Sequence, residues 1–537
     1  MSQHPIAEPY HRAPRDRRYD VIVVGSGIGG LGVAALLAKH GRRRVLVLER
    51  HYTIGGYTHV FRRPGYEWDV GVHYIGDTQP GRLIRALFDD VTDARLEWED
   101  MGDVVERMRI GDETFVYPRG EAALRAELVR RFPSEAAAVD RYFALVHEAV
   151  ASLHDFLATK ALPRLIGAVL RPMAKRRFHS YSDRTTREVL EGLTSDRTLI
   201  GVLSGQFGDY GLPPSRSSFA IHALVTHHYF GGGAFPVGGA GRIAETIAPV
   251  IRAAGGELLV NAEVAEVVVE NDRAVGVRMA ADGAVLRAPL VVSDAGVANT
   301  FGRLVPPAVA RRHRLERALQ GMNPSVAHAA LYVGLRGTTE SLDLERSNLW
   351  IYPDADHDRT LARATDAETI EYAYISFPSA KDPDFARRHP GRSTIDVLAF
   401  LPYDAFVRWE GTRWHKRGDD YEATKQRITE RLLGLLYTHV PGARGAVEVA
   451  ELSTPLSTRN FTAHARGEIY GLEHTPARFR NPYLRPSTPV RGLMLTGADV
   501  ATAGVAGALL GGALCASAIL RRNLVDGAQR GRAAKAA

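Results

Sequence analysis

Two short apolar runs near the start of the chain flank a longer stretch with helical character. Residues 21–24 are all apolar and run into glycines, helical material continues through Ala38, and a second apolar run occupies 45–48. Apolar runs of this length between turn residues are typical of strands buried in a parallel sheet. The pattern therefore predicts a strand, a helix and a second strand.

A second region rich in strand-forming residues begins at Gly255-Gly256. Turn signals at Asn271-Asp272 and Asp282-Gly283 divide it into short segments of apolar and β-branched residues. These segments are 258–260, 264–269, 274–279 and 290–293. The pattern predicts an antiparallel meander that leads into a final strand.

The rest of the chain interrupts these two regions. Residues 120–200 have helical character, whereas 326–450 mix strands with helices. A chain of 537 residues is longer than one hydrophobic core usually supports, so we expect two interlocked domains. The predicted fold class is α/β (α+β), with a Rossmann-type nucleotide-binding domain interleaved with a mixed-sheet and helical substrate domain. The predicted segments are a flexible arm at 1–18, a nucleotide-binding domain at 19–98, 235–305 and 452–523, a substrate domain at 99–234 and 306–451, and a flexible tail at 524–537.

Composition and charge exclude several classes of protein. Hydrophobic residues make up 45% of the chain and charged residues 24%, which is the balance of an ordinary folded domain. The net charge is +7, but arginine is scattered and does not form basic and aromatic stripes, so we expect no nucleic acid partner. The single cysteine, Cys515, excludes an internal disulfide and a multi-cysteine metal site, and we expect no metal.

Two segments bear on the location of the protein. The arm at 1–18 is polar and charged, with no apolar stretch of the kind found in targeting signals. Together with the single cysteine, this predicts a cytoplasmic protein. Residues 500–520 are almost wholly apolar and long enough to span a bilayer. Because they are mostly alanine and glycine, we expect a buried helix, with a membrane span as the alternative.

A glycine-rich turn follows the first predicted strand. The residues Gly25-Ser26-Gly27-Ile28-Gly29-Gly30 have the spacing G-x-G-x-x-G at the start of the predicted helix. Gly25 permits the tight bend, Gly27 lets the backbone approach a pyrophosphate, and Gly30 allows the helix to pack on the strand. Glu49, followed by Arg50, ends the next strand, where a carboxylate can accept hydrogen bonds from ribose hydroxyls. These residues predict a dinucleotide site.

Two further segments favour FAD over NAD. Gly55-Gly56, Gly65 and Asp69-Val70-Gly71 form a second glycine-rich loop, which resembles the loop that many FAD-dependent oxidoreductases place beside the flavin. Residues 493–499 have the pattern of a short strand and a polar turn before an apolar helix. That end of the chain is similar to the closing flavin motif of the same enzymes.

In that closing motif, Asp499 contacts the ribityl chain and the positive end of the helix faces the flavin ring. The alternative is that Asp499 is an ordinary N-cap. Val264, Gly497 and Val505 complete the predicted cofactor-binding residues, and the predicted cofactor is FAD.

The segment Gly71-Val72-His73-Tyr74-Ile75-Gly76 resembles the retinol saturase branch of the phytoene desaturase and carotenoid isomerase superfamily. Other segments agree with that branch in order along the chain, from Tyr19 to Arg521. They are 207–211, 228–239, 375–383, 417–422, 467–472 and 496–520. The resemblance implies an FAD-binding fold of the glutathione-reductase and amine-oxidase class. Tyr57-Thr58 and Ala498 depart from the family pattern beside the inferred flavin.

The resemblance implies hydride transfer between the flavin and a carbon–carbon bond of a hydrophobic polyene, a retinoid or an unsaturated lipid. In the saturating direction a reduced flavin supplies hydride and an acid protonates the second carbon. His73, Tyr74 and Tyr229 are the candidates for that acid or for orienting the substrate, and each has a packing role as its alternative. No second strand-linked G-x-G-x-x-G is present for a nicotinamide, so the electron donor, NAD(P)H or another reductant, stays open.

Other functions stay open from the sequence. A carotenoid desaturase or cis-trans isomerase would use the same scaffold, and a non-catalytic escort for prenylated proteins would need no complete flavin site. An amine oxidase shares the flavin motifs but lacks support from the middle of the chain. Residues 157–178 interleave apolar residues with lysine and arginine, which predicts peripheral membrane association. A helix with a solvated basic face is the alternative.

Overall fold

The computed structural model describes residues 6–12, 18–161 and 164–528, and within them it describes only the backbone of 158–161 and 164–171. The strands, in chain order, are β1 (Glu8–Pro9), β2 (Val21–Val24), β3 (Val45–Leu48), β4 (Val60–Arg63), β5 (Tyr66–Asp69), β6 (Ile75–Gly76), β7 (Trp98–Asp100), β8 (Val104–Ile110), β9 (Glu113–Pro118), β10 (Gly233–Pro236), β11 (Glu257–Val260), β12 (Val264–Glu270), β13 (Arg273–Met279), β14 (Val285–Arg287), β15 (Val291–Ser293), β16 (His328–Arg336), β17 (Asn348–Tyr352), β18 (Ala373–Ser376), β19 (Arg392–Phe400), β20 (Val447–Ser453) and β21 (Leu493–Leu495).

α-Helices connect and cover these strands. In chain order they are α1 (Ile28–Gly41), α2 (Leu83–Thr92), α3 (Glu121–Arg131), α4 (Ala136–Ala161), α5 (Arg164–Ser182), α6 (Thr186–Glu191), α7 (Arg197–Ser204), α8 (Phe219–His228), α9 (Gly241–Ala253), α10 (Val297–Asn299), α11 (Pro307–His313), α12 (His357–Arg363), α13 (Pro378–Lys381), α14 (Phe385–Arg388), α15 (Asp419–His439), α16 (Pro455–Thr462), α17 (Pro476–Arg480) and α18 (Gly504–Leu520).

A parallel sheet of six strands carries the glycine-rich turn. Its order is β1-β11-β3-β2-β15-β21, and every neighbouring pair is parallel. Strands β2 and β3 are buried along their whole length, because parallel sheets in α/β folds are covered by helices on both faces. The predicted strand, helix and strand unit is confirmed as β2, α1 and β3.

Small residues let α18 lie directly against α1. A Cβ added at Gly32 would lie 2.9 Å from Cδ1 of Leu509, and one added at Gly512 would lie 2.8 Å from the carbonyl oxygen of Gly29. Larger side chains would push the two helices apart, which explains the alanine and glycine content of 500–520. The prediction of a buried helix there is confirmed. Among the described residues, no helix has both the length and the hydrophobicity to cross a membrane.

The strand-rich region after Gly255 divides between two sheets. Strands β12, β13 and β14 form an antiparallel sheet, but β11 and β15 belong to the six-stranded parallel sheet. The prediction of one meander is therefore wrong for β11. Residues 258–260 are all buried, and three consecutive buried residues need cover on both faces, which the place beside β3 provides.

A seven-stranded sheet forms the second half of the molecule, in the order β20-β16-β19-β18-β17-β8-β9. Its apolar face and helices α3, α4, α7 and α8 share one hydrophobic cluster. All strands of the six-stranded sheet except β1 come from the segments predicted to bind nucleotide. The seven-stranded sheet comes from the other segments, except that β20 continues past residue 451 because its ladder with β16 extends to Ser453.

The two ends of the described chain are more ordered than the sequence predicts. In the predicted flexible arm, Glu8 and Pro9 pair with Leu259 and Val260 as an edge strand, and the Tyr10 side chain is buried. In the predicted tail, Leu524 is buried against the α1 layer. Burial of these apolar side chains is the physical reason for both differences. The remainder of the arm, 1–5 and 13–17, and of the tail, 529–537, lies outside the described residues.

The predicted basic amphipathic segment at 157–178 falls mostly on side chains outside the described set. Its two ends are described, and both Leu157 and Phe178 are buried in the core, where Phe178 stacks on Phe156 at 4.4 Å between ring centroids. Lys175, Arg176 and Arg177 are exposed. The segment 157–178 therefore begins and ends with a residue buried in the core, and it carries three exposed cations directly before Phe178.

Candidate active site

A continuous cavity joins the glycine turn after β2 to one face of the seven-stranded sheet. Gly25 and Glu49 line one end of this cavity, and Trp350 and Tyr374 line the other. The first end is at the carboxyl edge of the parallel sheet, where ligands of open α/β sheets bind. The second end is apolar and aromatic. The cavity therefore has one polar nucleotide-like end and one hydrophobic end.

The turn at the polar end leaves the backbone of α1 open to a ligand. Gly25 has a φ of 99°, which glycine adopts without strain. The turn leads into the first residues of α1, whose N–H groups have no partner within the helix and favour an anion. A Cβ added at Gly29 would lie 2.5 Å from Cα of Gly497. The turn after β21 and the start of α1 thus form one tightly packed wall.

Ser26 holds the carboxylate of Glu49 in place. The Ser26 N–H and hydroxyl donate to Glu49 Oε2 at 2.9 and 2.7 Å, and the His51 N–H donates to Oε1 at 2.8 Å. Glu49 is buried in the protein but lines the cavity. Each carboxylate oxygen can accept more than one hydrogen bond, so Glu49 retains acceptor capacity for a ribose hydroxyl.

The residues predicted to bind the cofactor lie together in the structure. Those that line the cavity are Gly25, Ser26, Gly27, Gly29, Glu49, Arg50, Gly55, Gly56, Val264, Asp499 and Val505. Gly30 and Gly497 lie behind the wall: a Cβ at Gly30 would meet the Gly25 carbonyl oxygen, and Gly497 contacts Gly29. These two glycines allow the start of α1 to pack closely against the neighbouring backbone. Tyr57 and Ala498, which depart from the family pattern, also line the cavity.

Asp499 is not the N-cap of the following helix, because Ala503 occupies that position. Its carboxylate accepts from the Val297 N–H at 2.8 Å and from the Leu472 N–H at 3.0 Å. The buried guanidinium of Arg478 lies 3.4 Å from Oδ1. Asp499 therefore ties three distant segments together at the cavity wall.

Asp294 is a cavity residue that the sequence analysis missed. It follows β15, and a Cβ added at Gly27 would lie 2.6 Å from its Oδ2. Burial raises the pKa of Asp294 to about 7, against the opposing effect of the backbone N–H groups of Gly30 and Gly27. The available signal was its place directly after an apolar strand of the parallel sheet, where ligand-facing residues occur.

The hydrophobic end of the cavity is built mainly from aromatic side chains. The rings of Trp350 and Tyr374 lie 4.3 Å apart between centroids, and Tyr352, Phe400 and Tyr470 also line this end. Flat, largely apolar rings provide contact area for a long unsaturated hydrocarbon. The sequence predicted no role for any of these five residues, because they lie on separate strands and loops; Tyr470 entered only through the family resemblance at 467–472.

His73 is the one member of the predicted catalytic set that lines the cavity. Its Nδ1 lies 3.5 Å from Oδ2 of Asp396, which is fully buried on β19. The buried ammonium of Lys381 donates to the His73 carbonyl oxygen at 2.9 Å and to Ser376 Oγ at 2.7 Å. Burial and the nearby Lys381 charge lower the pKa of His73 to about 3, so the imidazole is neutral at neutral pH.

Tyr74 and Tyr229 lie behind the cavity and do not line it. Their rings stack at 4.2 Å between centroids. The Tyr74 hydroxyl contacts Oε1 of Glu106 and lies 2.7 Å from Oδ2 of Asp209. Asp209, unlike the two tyrosines, does line the cavity. The sequence analysis used Asp209 only as part of the family resemblance.

The residues at the polar end fit a flavin dinucleotide. The glycine backbone at 25–29 lines the cavity at the start of α1, where a pyrophosphate would bind, and Glu49 has free acceptor capacity for a ribose. The wall from Gly55 to Tyr57 and the first turn of α18 continue toward the aromatic end. A flavin ring held between these walls would face the hydrophobic end of the cavity.

Comparisons with known proteins agree with this geometry. The model of the family described as flavin containing amine oxidoreductase matches residues 28–520. A zebrafish (Danio rerio) protein named all-trans-retinol 13,14-reductase is 36% identical over 96% of this chain and 87% of its own. Another zebrafish relative, named inactive all-trans-retinol 13,14-reductase, is 32% identical over 94% of this chain and 86% of its own.

Solved structures show the same fold at low sequence identity. An oxidoreductase from Methanosarcina mazei superposes with a TM-score of 0.61 and 18% identity, covering 94% of this chain and 100% of that protein. At this identity the likeness shows the fold alone. The predicted α/β fold of the FAD-binding, amine-oxidase-like class is confirmed.

Proposed function

Because the chain belongs to the flavin containing amine oxidoreductase family, in the branch of the all-trans-retinol 13,14-reductases, we propose that it is an FAD-dependent enzyme that saturates a carbon–carbon double bond. The substrate class is a retinoid-like polyene. The observation that carries this proposal is the single cavity, which joins a nucleotide-like polar end to an aromatic apolar end. A cofactor and a hydrophobic substrate can meet in it.

The proposal assigns the two parts of the cavity to two parts of the chain. Segments 19–98, 235–305 and 452–523 hold FAD through Gly25, Ser26, Gly27, Gly29, Glu49, Arg50, Gly55, Gly56, Val264, Asp499 and Val505, with Gly30 and Gly497 packed behind them. Segments 99–234 and 306–451 hold the substrate. A flavin bound there would supply or accept hydride. The protein's own groups would position the polyene, exclude water and provide a proton.

Each predicted catalytic residue takes a separate role in this proposal. His73 lines the cavity and contacts the substrate as a neutral imidazole, fixed from behind by Lys381 and Asp396. Tyr74 and Tyr229 support the wall from behind it. The source of electrons is a two-electron reductant, NAD(P)H or another.

We also propose that the protein associates peripherally with membranes, where such substrates dissolve. The support is the exposed cationic group Lys175, Arg176 and Arg177 in the second half of α5, of which Arg177 pairs with Asp155 at 3.5 Å. Cations near an anionic bilayer surface contribute about 1 kcal/mol each. Liposome flotation with anionic vesicles should lose most of the bound protein when Lys175 and Arg176 are changed to glutamine. Unchanged flotation would contradict the proposal, and Lys416→Gln, on another surface, is the matched control.

The function is tested by anaerobic reoxidation. The purified protein should show a flavin absorption spectrum, and after reduction with dithionite it should be reoxidised by retinol, with a product that has gained two hydrogen atoms. Flavin without reoxidation by retinoids, carotenoids or polyunsaturated fatty acids would favour the desaturase or isomerase function. A protein without flavin would favour the escort function. Because a relative is named inactive, both spectrum and product are needed.

A further inference from the structure

Saturation of a double bond needs an acid at the substrate end of the cavity, and the groups there differ greatly in their capacity to give a proton. Burial lowers the pKa of His73 to about 3 and of His328 to about 4, so both imidazoles carry no extra proton at neutral pH. Tyr352 and Tyr374 are weak acids whose pKa burial raises further. At neutral pH the two imidazoles carry no proton to give and the two phenols hold theirs tightly, so a carboxyl group would give a proton more readily than any of the four.

Asp209 is the carboxyl group at this end of the cavity. It lies at the end of the 3₁₀ turn between α7 and α8 and lines the cavity beside Trp350 and Tyr374. The residue is partly accessible and lines the cavity, so its carboxyl group can reach a bound substrate. Its Oδ2 lies 2.7 Å from the Tyr74 hydroxyl.

Counting protons around Tyr74 shows that a carboxyl group here is protonated. The phenolic oxygen is within hydrogen-bond distance of both Glu106 and Asp209, but a phenol has one hydroxyl proton to donate. The second contact therefore needs a proton from a carboxyl. Two ionised carboxylates on either side of one buried phenol would repel each other strongly.

Asp209 is the group that keeps that proton. Burial raises the pKa of Glu106 too, but hydrogen bonds from Tyr74, Trp350 and Gln206 oppose that rise, and the Gln206 amide donates to Oε2 of Glu106 at 2.7 Å. Among the described residues, Tyr74 is the hydrogen-bond partner of Asp209. Burial and the charge of Glu106 raise the pKa of Asp209 well above its usual value. Tyr229, Tyr374 and Tyr470 face it as neutral phenols.

We infer that Asp209 is the acid that protonates the substrate carbon, with Tyr74 as its positioning residue; this inference rests on the proposed function. When one carbon of the double bond receives hydride, the π electron pair forms a C–H bond at the other carbon with the Asp209 proton. Before the step the Asp209 O–H donates to the Tyr74 oxygen, and rotation of the carboxyl group directs this O–H to the substrate carbon. The O–H bond then breaks, and the carboxylate accepts the Tyr74 hydroxyl, which turns to it from Glu106. The carboxylate regains a proton from solvent after the product leaves.

The test compares Asp209→Asn, Tyr74→Phe and a control, Asp77→Asn, whose carboxylate is outside the cavity and 3.8 Å from His228. In the flavin-loaded, dithionite-reduced protein, D209N should lower the rate of reoxidation by retinol about 100-fold or more. Flavin content and retinol binding should not change. D77N should react at the wild-type rate, and the wild-type product formed in D₂O should carry deuterium at the carbon that Asp209 protonates.

Tyr74→Phe distinguishes a positioning role from a structural one. The Tyr74 hydrogen bond favours the ionised form of Asp209, so its removal should move the alkaline limb of the rate profile to higher pH. A lower rate with an unmoved limb would contradict the role of Tyr74. Flavin reoxidation by D209N within about threefold of wild type would overturn the assignment of Asp209.

Infrared spectroscopy tests Asp209 independently of turnover. The difference spectrum of wild type minus D209N should contain the carbonyl stretch of one protonated carboxylic acid, and this band should shift in Y74F. The difference of wild type minus D77N should lack it, and the bands of other buried carboxyl groups, such as Asp294, cancel in both differences. If wild-type protein fails to react with any polyene but shows this band, the proposed function fails while the protonation of Asp209 stands. If the difference of wild type minus D209N contains no such band, Asp209 is not protonated and the inference fails.

Discussion

The carboxyl group of Asp294 faces the backbone of Gly27 so closely that a Cβ added at Gly27 would lie 2.6 Å from Oδ2. An acid of the protein itself thus lies at the start of α1, where a pyrophosphate is expected. Since burial raises its pKa to about 7, the group is largely neutral below that pH and ionised above it.

FAD affinity should therefore depend on pH through Asp294. Above pH 7 the ionised carboxylate repels the pyrophosphate, so affinity should fall by up to about tenfold per pH unit. Asp294→Asn should remove this dependence, whereas Asp112→Asn, an exposed control, should retain it. Flavin fluorescence titration of apoprotein measures both. An equal pH dependence in D294N would contradict the role of Asp294.

The raised pKa of Asp294 should also make the stability of the flavin-free protein depend on pH. The folded pKa is raised above the ordinary value of 3.8, so the folded state holds the proton more tightly than the unfolded chain. The contribution of Asp294 to stability should fall as the pH rises from about 4 to about 7 and should then be flat. Urea unfolding of wild type and D294N across this range measures the difference, which should grow with pH.

Gly29→Ala should damage both stability and flavin binding. The new Cβ would lie 2.5 Å from Cα of Gly497, and backbone on both sides leaves no flexible group to yield. We expect a loss of about 1–3 kcal/mol in unfolding free energy, as for other overpacked sites, together with reduced flavin content. Gly434→Ala is the control. Gly434 is at an exposed position of α15, and no neighbouring atom lies within 4 Å of the new Cβ. Because alanine restricts the unfolded chain more than glycine does, the unfolding free energy should rise by about 0.4–1 kcal/mol.

Arg478→Met should be strongly destabilising. Arg478 is buried 3.4 Å from Oδ1 of Asp499, and its removal leaves an unpaired buried carboxylate, at a cost of about 3–5 kcal/mol. Thermal unfolding and flavin content report the loss. Arg480→Met, two residues away, removes an exposed ion pair with Asp183 and should change little. Equal losses of thermal stability in R478M and R480M would contradict the prediction that the buried Arg478–Asp499 pair matters more than the exposed Arg480–Asp183 pair.

Gly208→Ala should narrow the substrate end without affecting the flavin. Its Cβ would lie 2.5 Å from Cη2 of Trp350, so the indole must shift along the cavity wall. We expect the KM for retinol to rise about tenfold, equivalent to about 1.4 kcal/mol of binding free energy, with normal flavin content. Gly411→Ala, which meets no atom within 4 Å, is the control. An unchanged KM for G208A in steady-state kinetics would contradict the proposal that the substrate binds at the aromatic end of the cavity.

The sequence by itself determined the family, the fold class and most of the residues that line the polar end of the cavity. The family and fold are confirmed; the roles of individual residues stay predictions. These features can be predicted from the sequence because the glycine turn, the flanking apolar strands and Glu49 lie close together along the chain. Short-range backbone geometry determines each of them, and they follow one another in the strand, helix and strand unit in the same order as in the sequence.

Only the tertiary structure showed which residues from distant parts of the chain meet in the cavity and in the sheets. Asp294 becomes a cavity residue only because β15 pairs with β2, and Asp209 meets Tyr74 only because residues 135 positions apart are brought together. The same holds for β11, which joins the parallel sheet instead of the meander. Long-range pairing depends on burial summed over the whole chain, and no local pattern records which distant segments will share a face.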